Sequence, residues 1–472
     1  MPTQTNSRST TITSRELAAD TLTPVAAALR LGSRCAFLLE SVEGGARYGR
    51  YSIVGVHGRT LTVDHPRAVL IGQDERTEFT CADPLEALRS VLPHVAPMGG
   101  DPAFPLASGV GYLAYEVAAR WERLPVPDAD PLDLPDAVFH LPSAVIVFDH
   151  LAQVARLATL AGPDAAASLD EVATLLATPA AGEVPVPFEA ATVPAERDPE
   201  ARATYEARVG HLVDEIYAGE MLQAVIARRF SVSTSRTAMD IYRALRRINP
   251  SPHLFYLDLS VVTPGAALVG ASPELLVRVR DGEVVTRPIA GTRPRDEDPV
   301  RDAELEAELR SDPKELAEHA MLVDLARNDV GRVAEPASVE VTTLRSVERY
   351  THVMHLVSEV HGRLRPELDA FDAVRSTFPA GTVTGAPKVR AMEAIAALEG
   401  ERRGPYGGAI GYFAPHDVEC AITIRSAVVR DGCATVHAGA GIVADSVPER
   451  EAAEVAAKAA SMLAAIGEGV GE

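Results

Sequence analysis

Glu315, Glu318 and His319 fall within one turn of a stretch, residues 310–330, whose sequence marks a helix. Asp312 is a good N-cap, Pro313 suits the first helical position, and Glu315 three residues after Asp312 completes a capping-box pattern. Leu316, Ala320 and Val323, with Ala317, Met321 and Leu325, recur at three- and four-residue intervals and can face a core, and Gly331 marks the stop. Two carboxylates three residues apart project to one side of such a helix, where they can divide the work of proton donor and metal ligand. The competing reading is a capping glutamate beside a solvated acidic face.

Other side chains able to do chemistry lie far from this helix in sequence. Lys388, Arg425, Arg293 and His355 together would suit a small dicarboxylic acid. Arg425 sits in an apolar strand-like run, residues 421–428, where an arginine needs a carboxylate partner, supplied either by an internal salt bridge or by a bound acid. Glycine-rich residues 381–388 and 439–444 let backbone amides approach an anion closely. Neither is a nucleotide loop. The first breaks the phosphate-loop spacing and carries Pro387, and residues 445–448 separate the second from any helix. Glu451 and Glu454 stand one turn apart on a helix expected from about residue 449 to 466, and taken alone they read as solvated.

The elements that must position these groups can be read in outline. The first part of the chain holds a helix expected near residues 17–31, strands at 35–39, 51–56 and 143–148, and a helix at 165–176. Residues 178–194 contain four prolines and little periodicity, which places a domain boundary there and divides the chain into 1–195 and 196–472. Beyond it come a helix with the apolar stripe Tyr205, Val209, Leu212, Val213, Ile216 and Tyr217, then strands at 223–228, 254–259, 267–270, 275–279 and 284–286. Residues 287–295, with two prolines, a glycine and three arginines, are expected to form an irregular loop. Strands mixed with helices without regular alternation predict mixed α/β layers, an α+β arrangement, rather than a doubly wound sheet.

Composition narrows the partners. With 45 basic against 66 acidic residues the net charge is -21, which repels nucleic acid and anionic membranes. Cys35, Cys81, Cys420 and Cys433 show no CxxC spacing, so neither a disulfide framework nor a zinc site is expected and a reducing cytoplasm is the natural home. No apolar run has transmembrane length, and the polar first ten residues precede no secretory signal.

Residues 288–293 (Pro-Ile-Ala-Gly-Thr-Arg), 314–319 (Lys-Glu-Leu-Ala-Glu-His), 322–329, 353–358, 385–388 (Gly-Ala-Pro-Lys), 406–412, 424–426 (Ile-Arg-Ser) and 439–441 (Gly-Ala-Gly) resemble, in that order, the chorismate-utilising enzyme family. The resemblance covers about residues 200–465. Within the family it is to the large subunits, component I, of anthranilate synthase, and residues 38–41 (Leu-Leu-Glu-Ser) are similar to their tryptophan feedback site. The fold this implies has β-sandwich-like sheets covered by helices. The implied activity is that of a lyase of tryptophan biosynthesis, converting chorismate and ammonia to anthranilate and pyruvate.

The resemblance also implies roles for single residues. Glu318 and Glu454 match Mg²⁺ ligands, and Glu315 matches the general acid for the departing C4 hydroxyl. Gly291, Thr292, Tyr406, Arg425 and the amides of Gly439, Ala440 and Gly441 match positions that grip chorismate, with Lys388 adding charge. His355 matches the histidine of the second step, loss of pyruvate with aromatisation. Glu40 and Ser41, with Pro252, His253 and Leu254, match the tryptophan site, although the family usually has an aromatic residue and methionine at the last two.

Relatives that make aminodeoxychorismate or isochorismate usually carry lysine where this chain has Ala290 and Ala224, so direct attack by ammonia is implied. No glutaminase motif is recognisable, and a separate glutamine amidotransferase, component II, is the implied source of ammonia. The alternatives are an enzyme that stops at 2-amino-2-deoxyisochorismate, an aminodeoxychorismate synthase, and a non-catalytic binder of tryptophan or chorismate. The last is disfavoured because every acid and ligand position is filled.

Overall fold

The computed structural model describes residues 11–41, 49–93, 101–180, 183, 198–349 and 353–467. The first part of the chain forms β1 (Ile12–Ala18), α1 (Pro24–Leu31), β2 (Cys35–Glu40), β3 (Tyr51–Val56), β4 (Arg59–Asp64), β5 (Arg67–Ile71) and β6 (Arg76–Thr80). It continues with α2 (Pro84–Val91), β7 (Gly109–Leu113), β8 (Ala137–Leu141), β9 (Ala144–Asp149), β10 (Val154–Leu160) and α3 (Ala165–Ala177). Then come α4 (Pro199–Tyr217), β11 (Gln223–Ser233), α5 (Ala238–Ile248), β12 (His253–Asp258), β13 (Ala267–Ser272), β14 (Leu275–Arg280), β15 (Glu283–Thr286) and β16 (Ile289–Pro294). Helices α6 (Pro299–Ser311) and α7 (Pro313–Gly331) lead to β17 (Glu340–Arg349), β18 (Val353–Arg363), α8 (Ala370–Thr377), β19 (Gly385–Ala386) and α9 (Lys388–Glu399). The chain closes with β20 (Ala409–Phe413), β21 (Val418–Ile422), β22 (Ser426–Arg430), β23 (Cys433–Ile442) and α10 (Pro448–Ile466).

These strands form two large antiparallel sheets. One has 11 strands in the order β1-β10-β9-β3-β2-β12-β13-β22-β23-β11-β19. The other has 12, in the order β16-β18-β15-β14-β21-β20-β7-β8-β4-β5-β6 with β17 added onto β18. Side chains that alternate along a strand point to opposite faces, and β2 shows the consequence. Phe37 enters the core between the sheets with Tyr112, Phe139, Phe255 and Phe413, whereas Leu38 enters a second core with Tyr205, Val209, Tyr242 and Val455 of the covering helices. The 11-stranded sheet is thus buried on both faces, which is why β2 and β9 read as near-continuous apolar runs. Each fully buried phenylalanine or leucine contributes roughly 1.5–3 kcal/mol.

The division at 195/196 does not separate two cores. Strand β2 pairs with β12, setting Glu40 opposite Leu254, and β7 pairs with β20, setting Gly111 opposite Gly411. Both sheets therefore draw strands from 1–195 and from 196–472.

Three local expectations change. Leu17 belongs to β1, opposite Ala155, and the first helix begins only at Pro24, capped by the Thr23 hydroxyl. Residues 287–295 are mostly strand: β16 is an edge strand on β18 with a register shift between Ala290 and Thr292, where Gly291 takes φ +74°. An edge strand tolerates Pro294, and the bulge re-aims Gly291 and Thr292. The helix expected from the Asp312 cap to Gly331 is found as α7, with Asp312 separating it from α6. The run 421–428 is no single strand, since β21 lies in one sheet and β22 in the other.

Candidate active site

Two chain crossings lie side by side where the sheets part. The chain leaves the 11-stranded sheet at Ser272 and joins the other at Leu275, and it makes the reverse passage between Ile422 and Ser426. The Ser272 hydroxyl donates to the Ile422 carbonyl at 2.6 Å, and the Ile422 N–H donates to the Glu274 carbonyl at 3.0 Å. Glu274 and Arg425 are the charged residues of these two crossings.

Arg425 has φ +51°, a conformation costly for a residue with a Cβ. The turn carries it out of the ladder, so β23 pairs with β22 only from Cys433 to Val436. Beyond that point Gly439, Ala440 and Gly441 remain paired to β11 on one side, and their other edge is not covered by β22. No carboxylate lies within ion-pair distance of Arg425 among the described residues, so the internal salt bridge is not seen there. Burial lowers its pKa, and the Tyr406 ring lies near enough to oppose that shift.

Glu274 was not singled out from sequence, although it is the one charged residue in residues 259–277. Its carboxyl accepts from the Thr382 hydroxyl at 2.9 Å and from the Ile289 N–H, and burial pushes its pKa up to about 8. At neutral pH it keeps its proton. Across the bulge of β16, His355 of β18 hydrogen-bonds through Nδ1 to the Gly291 carbonyl at 3.1 Å and to Thr292 Oγ1 at 3.0 Å. Donation from Nδ1 to the carbonyl puts the ring lone pair on Nε2. Burial, with Arg425 and Lys458 nearby, brings the imidazole down to about 4. The carboxyl thus holds a proton at a pH where the imidazole has none.

Helix α7 supplies the acidic side of the notch. Asp312 accepts from the N–H groups of Lys314 and Glu315. The reciprocal half of a capping box is not made: Glu315 Oε1 accepts from Arg293 at 3.0 Å, and Arg293 also pairs with Asp312 at 2.6 Å. A Cβ on Gly291 would lie 3.2 Å from Glu315 Oε2, so this carboxylate borders the bulge. Burial and the charge of Glu315 raise the pKa of Glu318, whose Oε1 is 3.5 Å from Gln223 Nε2. Gln223 in turn lies against Gly441. His319 faces elsewhere; fully buried, it bonds Ser358 Oγ at 2.6 Å.

From α10, Glu454 pairs with Lys458 at 2.8 Å, and Lys458 also donates to the Gly439 carbonyl at 3.1 Å. The field of Lys458 reaches Glu318, Glu274, His355 and Glu451. Glu451 is half-buried rather than solvated, and burial and Glu454 raise its pKa. Lys388 is held by Asp329 Oδ2 at 2.9 Å, so its charge is neutralised within the protein. Tyr406 is buried, and burial raises its phenol to about 12, which keeps it a neutral donor. Its oxygen would lie 2.9 Å from a Cβ on Gly439.

The donor set suits a hard divalent cation. Glu318 and Glu454 would offer it carboxylate oxygens, and Mg²⁺ binds through a few carboxylates while retaining waters. No three His, Cys, Asp or Glu side chains form a ready-made cage among the described residues, so substrate oxygens and water would complete the shell.

The residues expected at a tryptophan site also lie near one another. Glu40, 5% exposed, accepts from Tyr242 Oη at 2.6 Å and from Arg246 at 3.1 Å, and it faces Leu254 across β2 and β12. Ser41 follows Glu40, and Pro252 is buried just before β12. His253, the neighbour of Leu254, points to the opposite face; burial, then Arg287 and Arg278, lower its pKa to about 4.

Comparison with known proteins gives the family. The family model described as chorismate binding enzyme matches residues 35–464. The chain is 43% identical to anthranilate synthase component 1 of Pseudomonas aeruginosa over 96% of this chain and 94% of that protein. To the Thermus thermophilus protein of the same name it is 46% identical, over 95% and 96%. The crystal structure of anthranilate synthase component I from Streptococcus pneumoniae superposes with a TM-score of 0.77 at 35% identity, covering 94% of this chain and 98% of that one. The Escherichia coli menaquinone-specific isochorismate synthase shares the fold, with a TM-score of 0.71 at 20% identity over 97% and 95%. With so much of its length matched at this identity, the chain belongs to the chorismate binding enzyme family, in its anthranilate synthase component 1 branch.

Proposed function

We propose that the chain converts chorismate and ammonia to anthranilate and pyruvate, a lyase reaction in tryptophan biosynthesis. The observation that carries this reading is the pair of tied chain crossings that sets Glu274 beside Arg425, with burial raising the pKa of Glu274 and lowering that of His355. A pair of titratable groups pushed apart by their surroundings assigns an acid and a base. Arg425 and the Gly439–Gly441 edge bind the carboxylates of chorismate, and Tyr406 and Thr292 donate to its oxygens. Ammonia attacks C2, both ring double bonds shift by one position, and the C4 hydroxyl leaves as water with a proton from Glu274, which the new C2 ammonium group gives back. His355 Nε2 then takes the C2 proton as the C3–O bond breaks, and the departing enolpyruvate takes a proton on its methylene carbon to become pyruvate while the ring becomes aromatic. Glu315, whose Oε1 accepts from Arg293, is the second candidate for proton donor.

Mg²⁺ held by Glu318 and Glu454 would supply countercharge to the ring carboxylate of bound chorismate. The relatives' names imply a second component, and in this reading it is a glutamine amidotransferase that supplies the ammonia. Tryptophan, the end product, acts as feedback inhibitor at Glu40, Ser41, Pro252, His253 and Leu254. A cytoplasmic site of action goes with four cysteines that are all free thiols. No helix among the described residues is long and apolar enough to cross a membrane.

The test is direct. Purified chain, chorismate, Mg²⁺ and an ammonium salt should yield fluorescent anthranilate. Consumption of chorismate without it would assign the chain to synthesis of 2-amino-2-deoxyisochorismate instead.

A further inference from the structure

Tyr406 stands on a turn, residues 403–408, that the second part of the chain does not hold alone. The carboxylate of Glu116 accepts the N–H of Arg403 at 2.7 Å and the N–H of Gly404 at 3.1 Å. The N–H of Tyr115 donates to the Gly404 carbonyl at 2.8 Å. Residues 115 and 116 follow β7, so the clamp comes from the first part of the chain.

The Arg403 side chain passes behind the turn. It is 2% exposed, and its guanidinium makes a two-point contact with Glu399, from Nε at 2.8 Å and from one terminal nitrogen at 2.6 Å. The remaining bonds run to the carbonyls of Val383 at 2.8 Å and Val225 at 2.7 Å. The plane lies between two phenol rings, 4.5 Å from the centre of Tyr115 and 5.6 Å from that of Tyr406. The Tyr406 ring also stacks on His437, with centroids 5.3 Å apart at 21°. Gly407, at φ +73°, completes the turn.

We propose that Glu116 and Arg403 are positioning residues for chorismate: Glu116 fixes the 403–404 peptides, Arg403 backs the Tyr406 ring, and together they set where the phenol meets the substrate. Neither touches chorismate. The guanidinium spends its donors on Glu399, Val383 and Val225, and Glu116 spends its two oxygens on backbone amides. A planar fork between two rings is a task for arginine that lysine cannot perform. The inference rests on Tyr406 as a substrate contact, and the experiment separates the two.

Glu116→Gln keeps the shape of the side chain but replaces one acceptor oxygen with an NH₂ that faces a backbone N–H. In the ammonium-dependent assay it should raise KM for chorismate about tenfold with kcat within about twofold, the pattern of lost binding that is shared by ground and transition states. In a Tyr406→Ala background the same change should alter KM less than about twofold, because coupled residues are non-additive. Arg403→Lys, checked for folding by far-UV circular dichroism, should raise KM in the same way. A Glu116→Gln protein with unchanged KM, or with the same KM factor in both backgrounds, overturns the proposal even if Arg403→Lys fails to fold. An unchanged KM for Tyr406→Ala alone removes Tyr406 from the site, and the proposal with it.

Discussion

The Ser272 hydroxyl, 2.6 Å from the Ile422 carbonyl, ties together the two places where the chain passes between sheets. That bond keeps Glu274 and Arg425, the acid and the anion-binding cation of the proposed reaction, on adjacent crossings. They are 151 residues apart in sequence (425 minus 274) and cannot be placed together by any local pattern.

Loss of the buried acid should be felt in the chemical step. Glu274→Gln is expected to lower kcat by roughly 10²–10⁴ with KM little changed, the range for a general acid. A loss below about threefold, read from anthranilate fluorescence with ammonium as donor, would move the role to Glu315.

The same carboxyl links stability to pH. Its folded pKa, about 8, stands above the ordinary value of 4.5, so between these limits the unfolded chain has released a proton that the folded chain keeps. Stability from this group is therefore fully present below pH 4.5 and is lost as pH rises toward 8, on the order of 1.4 kcal/mol per pH unit. Denaturant unfolding at pH 6 and pH 8 should show wild type losing roughly 2–3 kcal/mol more than Glu274→Gln over that interval. Equal losses would place the acid's pKa outside the window.

His355→Gln should separate the two steps. Chorismate should still disappear while 2-amino-2-deoxyisochorismate accumulates, resolved by chromatography of quenched reactions. Anthranilate formed at the wild-type rate would remove His355 from the second step.

Glu318→Gln tests the metal assignment. Ammonium-dependent turnover should fall at least about 10²-fold, and the Mg²⁺ concentration for half-activity should rise, since loss of one of few carboxylate ligands weakens a Mg²⁺ site strongly. Intact turnover would exclude Glu318 as a ligand.

For regulation, Arg246→Gln removes a partner of Glu40 without entering the notch. Turnover in ammonium should stay within about twofold while the tryptophan concentration for half-inhibition shifts at least fivefold, a coupling of about 1 kcal/mol. Inhibition curves that coincide with wild type would place the tryptophan site elsewhere.

Much of this was legible in the residues, and the exceptions have physical causes. Helix α7 announced itself through Asp312 and Pro313, and its capping box misled, because a partner 22 residues earlier, Arg293, captured the Glu315 carboxylate. The bulged strand β16 reads as a loop because proline and glycine are tolerated at a sheet edge, and edges are set by tertiary pairing. Glu274 left a signal in its isolation among apolar residues. Lys458 left a sharper one: Lys314, Lys388 and Lys458 are the only lysines in the sequence, and each lies on or beside the notch. Every other basic residue is arginine.

The pairing of β2 with β12 and of β7 with β20 has a consequence for how such a protein can be divided. A fragment starting at residue 198 would expose one long open margin on each sheet, and such margins recruit other chains into aggregates. The proposed tryptophan site around Glu40 and the proposed catalytic notch therefore share one fabric. If Glu40 serves regulation, that regulation can be abandoned by changing side chains around it but not by shedding a detachable module.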